Sequence, residues 1–427
     1  MGWGGFRTGR IGPAERPPMT RRRGEADMAD DTITFAAVGD IDLSRWGAQA
    51  VARGGADWPF AEMMPVLRQA DLLFGNMESV VLPEDYPDGQ IDPKGLVDKF
   101  DATAALAEAG FDFLNLAQNH ILDGGQVGMF HTQRLIEALG IATAGVGRTQ
   151  AEARRMRVLQ AGGLTVGFLC YCEDSNYTLS TTGPCHAYYV PEDVLADVAE
   201  VAGRVDALVV SIHADLEFMA TPSVPRREAF RKIAAAGATM VLGHHPHVPQ
   251  GVELIDGCLI AYSLGNFYFP AHSSEYMKGH QPHTARSFVL LAEVSRDGVH
   301  SFRREPFEIQ PPPNERPVPL TGPAREEMIA YLEELDRMVA DDEIVRTNWR
   351  RIALEHLDIY LQRIKQKDSE EVLADLLGRL LLVAENRNWV EEVFAAVKEN
   401  WAHQAAQVDP LHRPHYVLRS RFEAQNG

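Results

Sequence analysis

Cysteine is scarce in this chain: there are four, at positions 170, 172, 185 and 258 of 427 residues, and no two of them form a C-x-x-C pair. So few thiols cannot staple a chain of this length, and the missing pair spacing disfavours a redox role. Cys170 and Cys172 fall in the strand-like run LTVGFLCYCED, where alternation puts both on one sheet face, so they read as small buried hydrophobes. Long apolar runs are missing too, and nothing approaches the roughly 18 consecutive apolar residues of a membrane span. The N-terminal stretch MGWGGFRTGRIGPAERPPMTRRRGEADMAD lacks the apolar centre of a secretory signal. Residues 1–31 are therefore expected to be a disordered extension, with Met28 as the candidate start of the chain proper, and the protein is expected in the cytoplasm with no membrane partner. Basic residues are outnumbered, 41 Lys and Arg against 60 Asp and Glu, for a net charge of −19. That balance argues against a nucleic-acid-binding surface, which needs clustered cations.

What is present is an alternation of apolar runs and helical spacings, the pattern of a layered α/β fold. Strands are expected at 32–40, 71–76, 111–117, 164–171, 205–212, 239–243 and 258–264, with an antiparallel finish at 286–295 and 299–308. Helices are expected through 58–70 and at 101–109, 126–139, 191–203 and 225–236. A catalytic domain over 32–309 would then be followed by a Pro-rich linker at 310–323 and a helical region at 324–427. That last region carries no visible chemistry. It reads as a packing, covering or homodimerising element.

The informative polar residues fall at strand ends. Asp40 and Asp42 end the first strand, Asn76 and Glu78 the second, and Asn119 and His120 the third. His213 ends another strand, and His244, His245 and His247 another. In open α/β sheets ligands bind beyond the carboxyl ends of strands, so these groups converge on one rim although they are remote in sequence. Taken singly, a Gly-Asp turn or a strand-end histidine is ordinary structure. Three imidazoles within GHHPH, together with four other such strand ends, point to metal binding. Carboxylate, amide and imidazole donors without thiolate suit two divalent ions, Mn, Fe or Zn. Such a pair lowers the pKa of a bound water and polarises the attacked group, leaving His120 as a general acid.

The ordered motifs Gly39-Asp40, Asn76-Met77-Glu78, Asn119-His120-Ile121-Leu122-Asp123-Gly124-Gly125, His213, Gly243-His244-His245-Pro246-His247-Val248 and Tyr262-Ser263-Leu264-Gly265-Asn266-Phe267 resemble the CapA family of capsule or poly-γ-glutamate synthesis proteins, within the calcineurin-like metallophosphoesterase superfamily. The resemblance implies a four-layer αββα sandwich with the metal site at its strand ends. It implies Asp40 and His247 on one metal, Asn119, His213 and His245 on the other, and Glu78 bridging. Asp42 is a weaker ligand candidate, and His244 is an alternative to His245. His120 and Asp123 form the catalytic pair. Two positions depart from the family pattern: Gln118 stands where a second Asn is usual, and His213-Ala214-Asp215-Leu216-Glu217 replaces His-Trp-Gly-x-Glu.

The function expected from these readings is hydrolysis of a phosphoester or a γ-glutamyl-like amide in a small molecule or short γ-linked peptide. Metal-dependent O₂ activation on the same ligands, and a non-catalytic accessory role in polyglutamate or capsule synthesis, stay open as alternatives. Arg45, Lys99, Glu217, His244 and Asn266 are candidate substrate-binding residues. Tyr177, His186 and Tyr188 are candidate pocket-lining residues, and 265–284, rich in His and aromatics, reads as a lid.

Overall fold

A computed structural model describes residues 32–173, 183–367 and 369–399. The expected extension at 1–31 and Tyr177 lie outside the described residues. The strands used below are β1 (Ile33–Ile41), β2 (Leu72–Met77), β3 (Phe113–Asn115), β4 (Ala142–Ala144), β5 (Arg157–Ala161), β6 (Leu164–Cys172) and β7 (Ala207–His213). They continue with β8 (Met240–His244), β9 (Val252–Ile255), β10 (Cys258–Ala261), β11 (Asn266–Tyr268), β12 (Arg286–Ser295), β13 (Gly298–Ile309) and β14 (Pro317–Pro319).

Two sheets carry the fold. The first runs β14-β13-β12-β1-β2-β3-β4, with β11 pairing to the end of β1, and the second runs β9-β10-β8-β7-β6-β5. Their middle strands are parallel and buried along their length, which is why they read as unbroken apolar runs rather than as alternations. The sheets stack through aromatics: Phe168 of β6 lies 3.9 Å from Phe113 and 6.2 Å from Phe74, centroid to centroid. Period two then sorts β6 between the layers. Phe168, Cys170 and Cys172 face the inter-sheet core, while Leu169 and Tyr171 share the opposite layer with Val194, Val198, Phe230 and Ile233 of two helices, Pro191–Val201 and Val224–Ala235. All four cysteines are free and buried, Cys170 and Cys172 as read from the sequence. Helices Ala104–Ala109 and Gly125–Ala138 bury Leu106, Met129 and Ile136 in the core of the first sheet. The result is the expected α/β sandwich with helices outside paired sheets.

Three local expectations need correcting. The helix expected through 58–70 is a 3-10 turn, Trp58–Met63, and a short helix, Met64–Leu67, because Pro59 and Pro65 withhold backbone donors. The Pro-rich segment read as a linker instead lays β14 against β13, where prolines are tolerated at a sheet edge. The stretch read as a lid starts as structure: β11 and the following Phe269 and Ala271 are buried.

Beyond residue 321 lie four helices among the described residues: Gly322–Ala340, Asp342–Lys365, Glu370–Leu382 and Ala384–Lys398. Trp349, Ile352, Ala353 and Trp389 of these helices share a core with Leu216 and Met219, on the loop that follows β7. No helix among the described residues is long and apolar enough to cross a membrane.

Candidate metal centre

The rim is assembled by backbone that approaches too closely for side chains. A Cβ on Gly39 would meet the Gly265 carbonyl oxygen at 1.7 Å, and one on Gly243 would meet that of Tyr262 at 1.9 Å. The segment 262–266 is thereby wedged between the two sheets: Asp40 N donates to Gly265 O at 2.9 Å, and Leu264 N donates to Gly243 O at 3.1 Å. This explains why glycine precedes both Asp40 and His244, and why Asn266 arrives in register with Asp40.

Two sets of ligand atoms come together, each within 4.8 Å: Asp40, Glu78 and His213, and Glu78, His245 and His247. Glu78 is common to both. The partition implied by the resemblance has contacts of its own: His247 Nδ1 lies 3.5 Å from Asp40 Oδ2, and the His213 and His245 rings are 4.8 Å apart, centroid to centroid. Asn119 joins through His213, its Oδ1 lying 2.8 Å from Nε2 of that ring. Asp42 belongs to neither set. It is buried, and its Oδ1 accepts from the Ser44 amide at 2.7 Å and the Ser44 hydroxyl at 2.6 Å, so it closes the turn after β1.

Burial, the largest influence on Asp40, would raise its pKa. The contacts with His244 and His247 and the charge of His213 outweigh it and hold the carboxyl well below the usual range. Asn76 Nδ2 donates to Asp40 Oδ1 at 2.8 Å, and is itself held by Asn115 Nδ2 donating to Asn76 Oδ1 at 2.7 Å. Asn115 was missed because an amide inside an apolar strand announces nothing by itself. Glu78 is pushed far the other way, by burial first and then by Asp40, Glu217 and Asp42. Both of its carboxylate oxygens are buried with no hydrogen-bond partner, and the same holds for His245 Nδ1. A buried carboxylate without donors is costly, and cations are what such a cage fits. The oxygen and imidazole donors match Mn, Fe or Zn.

His245 and His247 occupy the left-handed region, with φ of 95° and 59°. Such strain, about 1–3 kcal/mol per residue, persists where the surroundings enforce it and clusters at functional sites. Burial pushes His245 down to about 4. On His247, burial would also lower the pKa, but Asp40, Glu217 and Asn266 reverse the direction. Asn266 Oδ1 lies 2.9 Å from His247 Nδ1, and its Nδ2 donates to the Thr284 carbonyl at 3.0 Å. Asn266 therefore backs His247 from behind, which corrects its expected place against substrate. His244 is corrected likewise: it is wholly buried on the inner face of β8, packed on Phe74, with Nδ1 3.5 Å from Asp40 Oδ1.

His120 and Asp123 lie together, both partly exposed, with His120 Nδ1 2.7 Å from Asp123 Oδ2. The Leu96 amide donates to the same oxygen at 2.8 Å. Glu217 reaches within 3.8 Å of His247 Nε2. Arg45 donates to the Pro93 carbonyl at 3.0 Å, and Lys99 pairs with Asp88 at 2.5 Å. His186 and Tyr188 pack edge to face, 5.0 Å apart, with His186 fully buried.

Residues 34–271 match the family model described as bacterial capsule synthesis protein PGA_cap. The chain is similar to the capsule biosynthesis protein CapA of Bacillus anthracis, 32% identical over 249 residues, 56% of this chain and 60% of the relative. It thus spans less than two thirds of that relative's length. It is also similar to the PGA biosynthesis protein CapA of Bacillus subtilis (strain 168), 29% identical over 302 residues, 70% of this chain and 76% of the relative. A 5'-nucleotidase precursor from Thermus thermophilus aligns with a TM-score of 0.40 and 14% identity, over 72% of this chain and 59% of that one, too loose a likeness to bear on function. With the family model spanning more than half its length, the chain belongs to the PGA_cap family of bacterial capsule synthesis proteins.

Proposed function

We propose that this chain is a dinuclear-metal hydrolase that cleaves a phosphoester or a γ-glutamyl-like amide in a small molecule or a short γ-linked peptide. The observation that carries the reading is Glu78: it belongs to both ligand sets, and neither carboxylate oxygen has a hydrogen-bond partner. Asp40, Glu78, His213 and Asn119 would hold one Mn, Fe or Zn ion, and Glu78, His245 and His247 the other. When bound, the pair supplies Lewis acidity and an acidified water at neutral pH. The chain's own residues do the remainder. Asn76 keeps the Asp40 carboxylate oriented, and Asn266 holds His247 by Nδ1 so that Nε2 faces Glu78 and Glu217. Asp123 fixes His120 through Nδ1, leaving Nε2 to deliver the proton to the leaving atom as the scissile bond breaks. The γ-glutamyl arm of the reading follows the poly-γ-glutamate (PGA) and capsule roles printed for the relatives.

Metal-stripped protein reloaded with Mn²⁺ or Zn²⁺ should cleave bis-p-nitrophenyl phosphate or γ-glutamyl-p-nitroanilide. His120→Ala should abolish turnover without loss of metal. Turnover that persists in both His120→Ala and Glu78→Ala would refute the reading.

A further inference from the structure

The loop between β7 and helix Val224–Ala235 divides its side chains between two neighbours. Leu216 and Met219 are buried against Trp349, Ile352 and Trp389 of the C-terminal helices. Between these anchors, Glu217 turns to the rim and Phe218 stacks on His280 at 3.8 Å, with the rings 6° from parallel. Asp215 and Phe218 are left-handed at φ of 87° and 61°, so the turn is enforced rather than relaxed. Phe218 N donates to Pro246 O at 2.8 Å, tying the loop to the turn that carries His245 and His247. Gln250 Nε2 donates to Met219 O at 2.9 Å.

Glu217 faces the imidazole from which Glu78 is also reached. His247 Nε2 lies 3.6 Å from Glu78 Oε1 and 3.8 Å from Glu217 Oε1. Atoms bound about 2.1 Å from one ion at tetrahedral or octahedral angles sit roughly 3.0–3.4 Å apart, so both separations are a small contraction away from a shared ion. The other carboxylate oxygen of Glu217 accepts from the Tyr276 hydroxyl, which sets the side chain's direction.

We propose that Glu217 is a further ligand of the ion held by Glu78, His245 and His247, and that the C-terminal helices, by anchoring Leu216 and Met219, are a clamp that keeps this carboxylate at the centre. The proposal rests on the dinuclear reading above, and gives the helical region a role in metal retention.

Metal-stripped full-length protein titrated calorimetrically with Mn²⁺ tests it. Wild type should take two ions. Glu217→Gln, which keeps the side chain's shape and its hydrogen bond with Tyr276, should weaken one of them by at least about ten-fold. Tyr276→Phe, which removes the hydroxyl and leaves the carboxylate, should weaken it by less. The Leu216→Ala/Met219→Ala pair should weaken the same single ion. Thermal midpoints of the metal-free variants separate a lost ligand from a lost fold, and Glu217→Gln decides alone if the double variant unfolds. Two ions bound equally tightly by wild type and Glu217→Gln would overturn this inference and leave the dinuclear reading standing. A Tyr276→Phe loss as large as that of Glu217→Gln would overturn it as well, by assigning the effect to the latch. A wild type that takes up no Mn²⁺ would remove both.

Discussion

Asn266 Oδ1 and His247 Nδ1 lie 2.9 Å apart, joining the strand-end histidine turn of one sheet to a short strand of the other. Nδ1 of His247 thus meets Asn266 and lies 3.5 Å from Asp40 Oδ2, while Nε2 is turned toward Glu78 and Glu217. Removing it by Asn266→Ala should weaken metal binding about 10- to 100-fold while leaving His247 in place, the usual effect of losing a partner behind a ligand. Calorimetric titration with Mn²⁺ measures this, and an unchanged affinity would deny Asn266 that role.

Glu78 gives a pH dependence whose sign can be worked out. Its folded-state pKa is raised, by burial first and then by neighbouring carboxylates. The folded protein therefore holds that proton more tightly than the unfolded chain. Its stabilising contribution is complete below the unfolded value of about 4.3 and is lost as pH rises through the folded one. Metal-free wild type should lose thermal stability on that account as pH rises from acid to neutral, and metal-free Glu78→Gln should lose less. With metal present the order should reverse at neutral pH, because the carboxylate then has its cation. Melting curves of both proteins, with and without Mn²⁺, measure the four cases.

His120 and Asp123 are paired, partly exposed and in neither ligand set. His120→Ala should lower kcat by about 10²- to 10⁴-fold, the range for removing a general acid. Asp123→Asn should cost less and shift the pH–rate profile, since it alters how the imidazole is held. Metal content, measured by elemental analysis, should stay at the wild-type level in both variants.

The glycine before each ligand turn is a packing requirement. Gly39→Ala or Gly243→Ala would drive a methyl against a backbone carbonyl oxygen at 1.7 or 1.9 Å, with no flexible side chain there to move aside. Each should destabilise the protein by at least about 3 kcal/mol in urea melts, at or beyond the upper end for overpacking. A stable Gly39→Ala variant would mean that the two sheets are not joined as described.

Much of this was legible in the chain itself, for a physical reason. Parallel strands buried on both faces stay apolar until they reach the rim, so β1, β7 and β8 end at or beside a visible polar group: Asp40, His213 and the turn that carries His245 and His247. The antiparallel strand expected at 286–295 is Arg286–Ser295 in the structure. What stayed hidden depends on contacts between remote segments. The β11 strand, Asn266–Tyr268, exists only because the end of β1 offers it a pairing edge, and no local alternation marks it. Helix Arg45–Gly54 was missed because Gly47 and Gly54 interrupt its apolar spacing. Asn266 looked like a substrate contact because motif order does not say which side of an imidazole a residue occupies.

The most direct test is a crystal soaked in Mn²⁺ and measured at the manganese absorption edge. Two anomalous peaks flanking the Glu78 carboxylate, one on the side of Asp40 and His213 and the other on the side of His245 and His247, are the expected result. Density free of anomalous signal around Glu78, at Mn²⁺ concentrations that occupy other sites in the crystal, would contradict it.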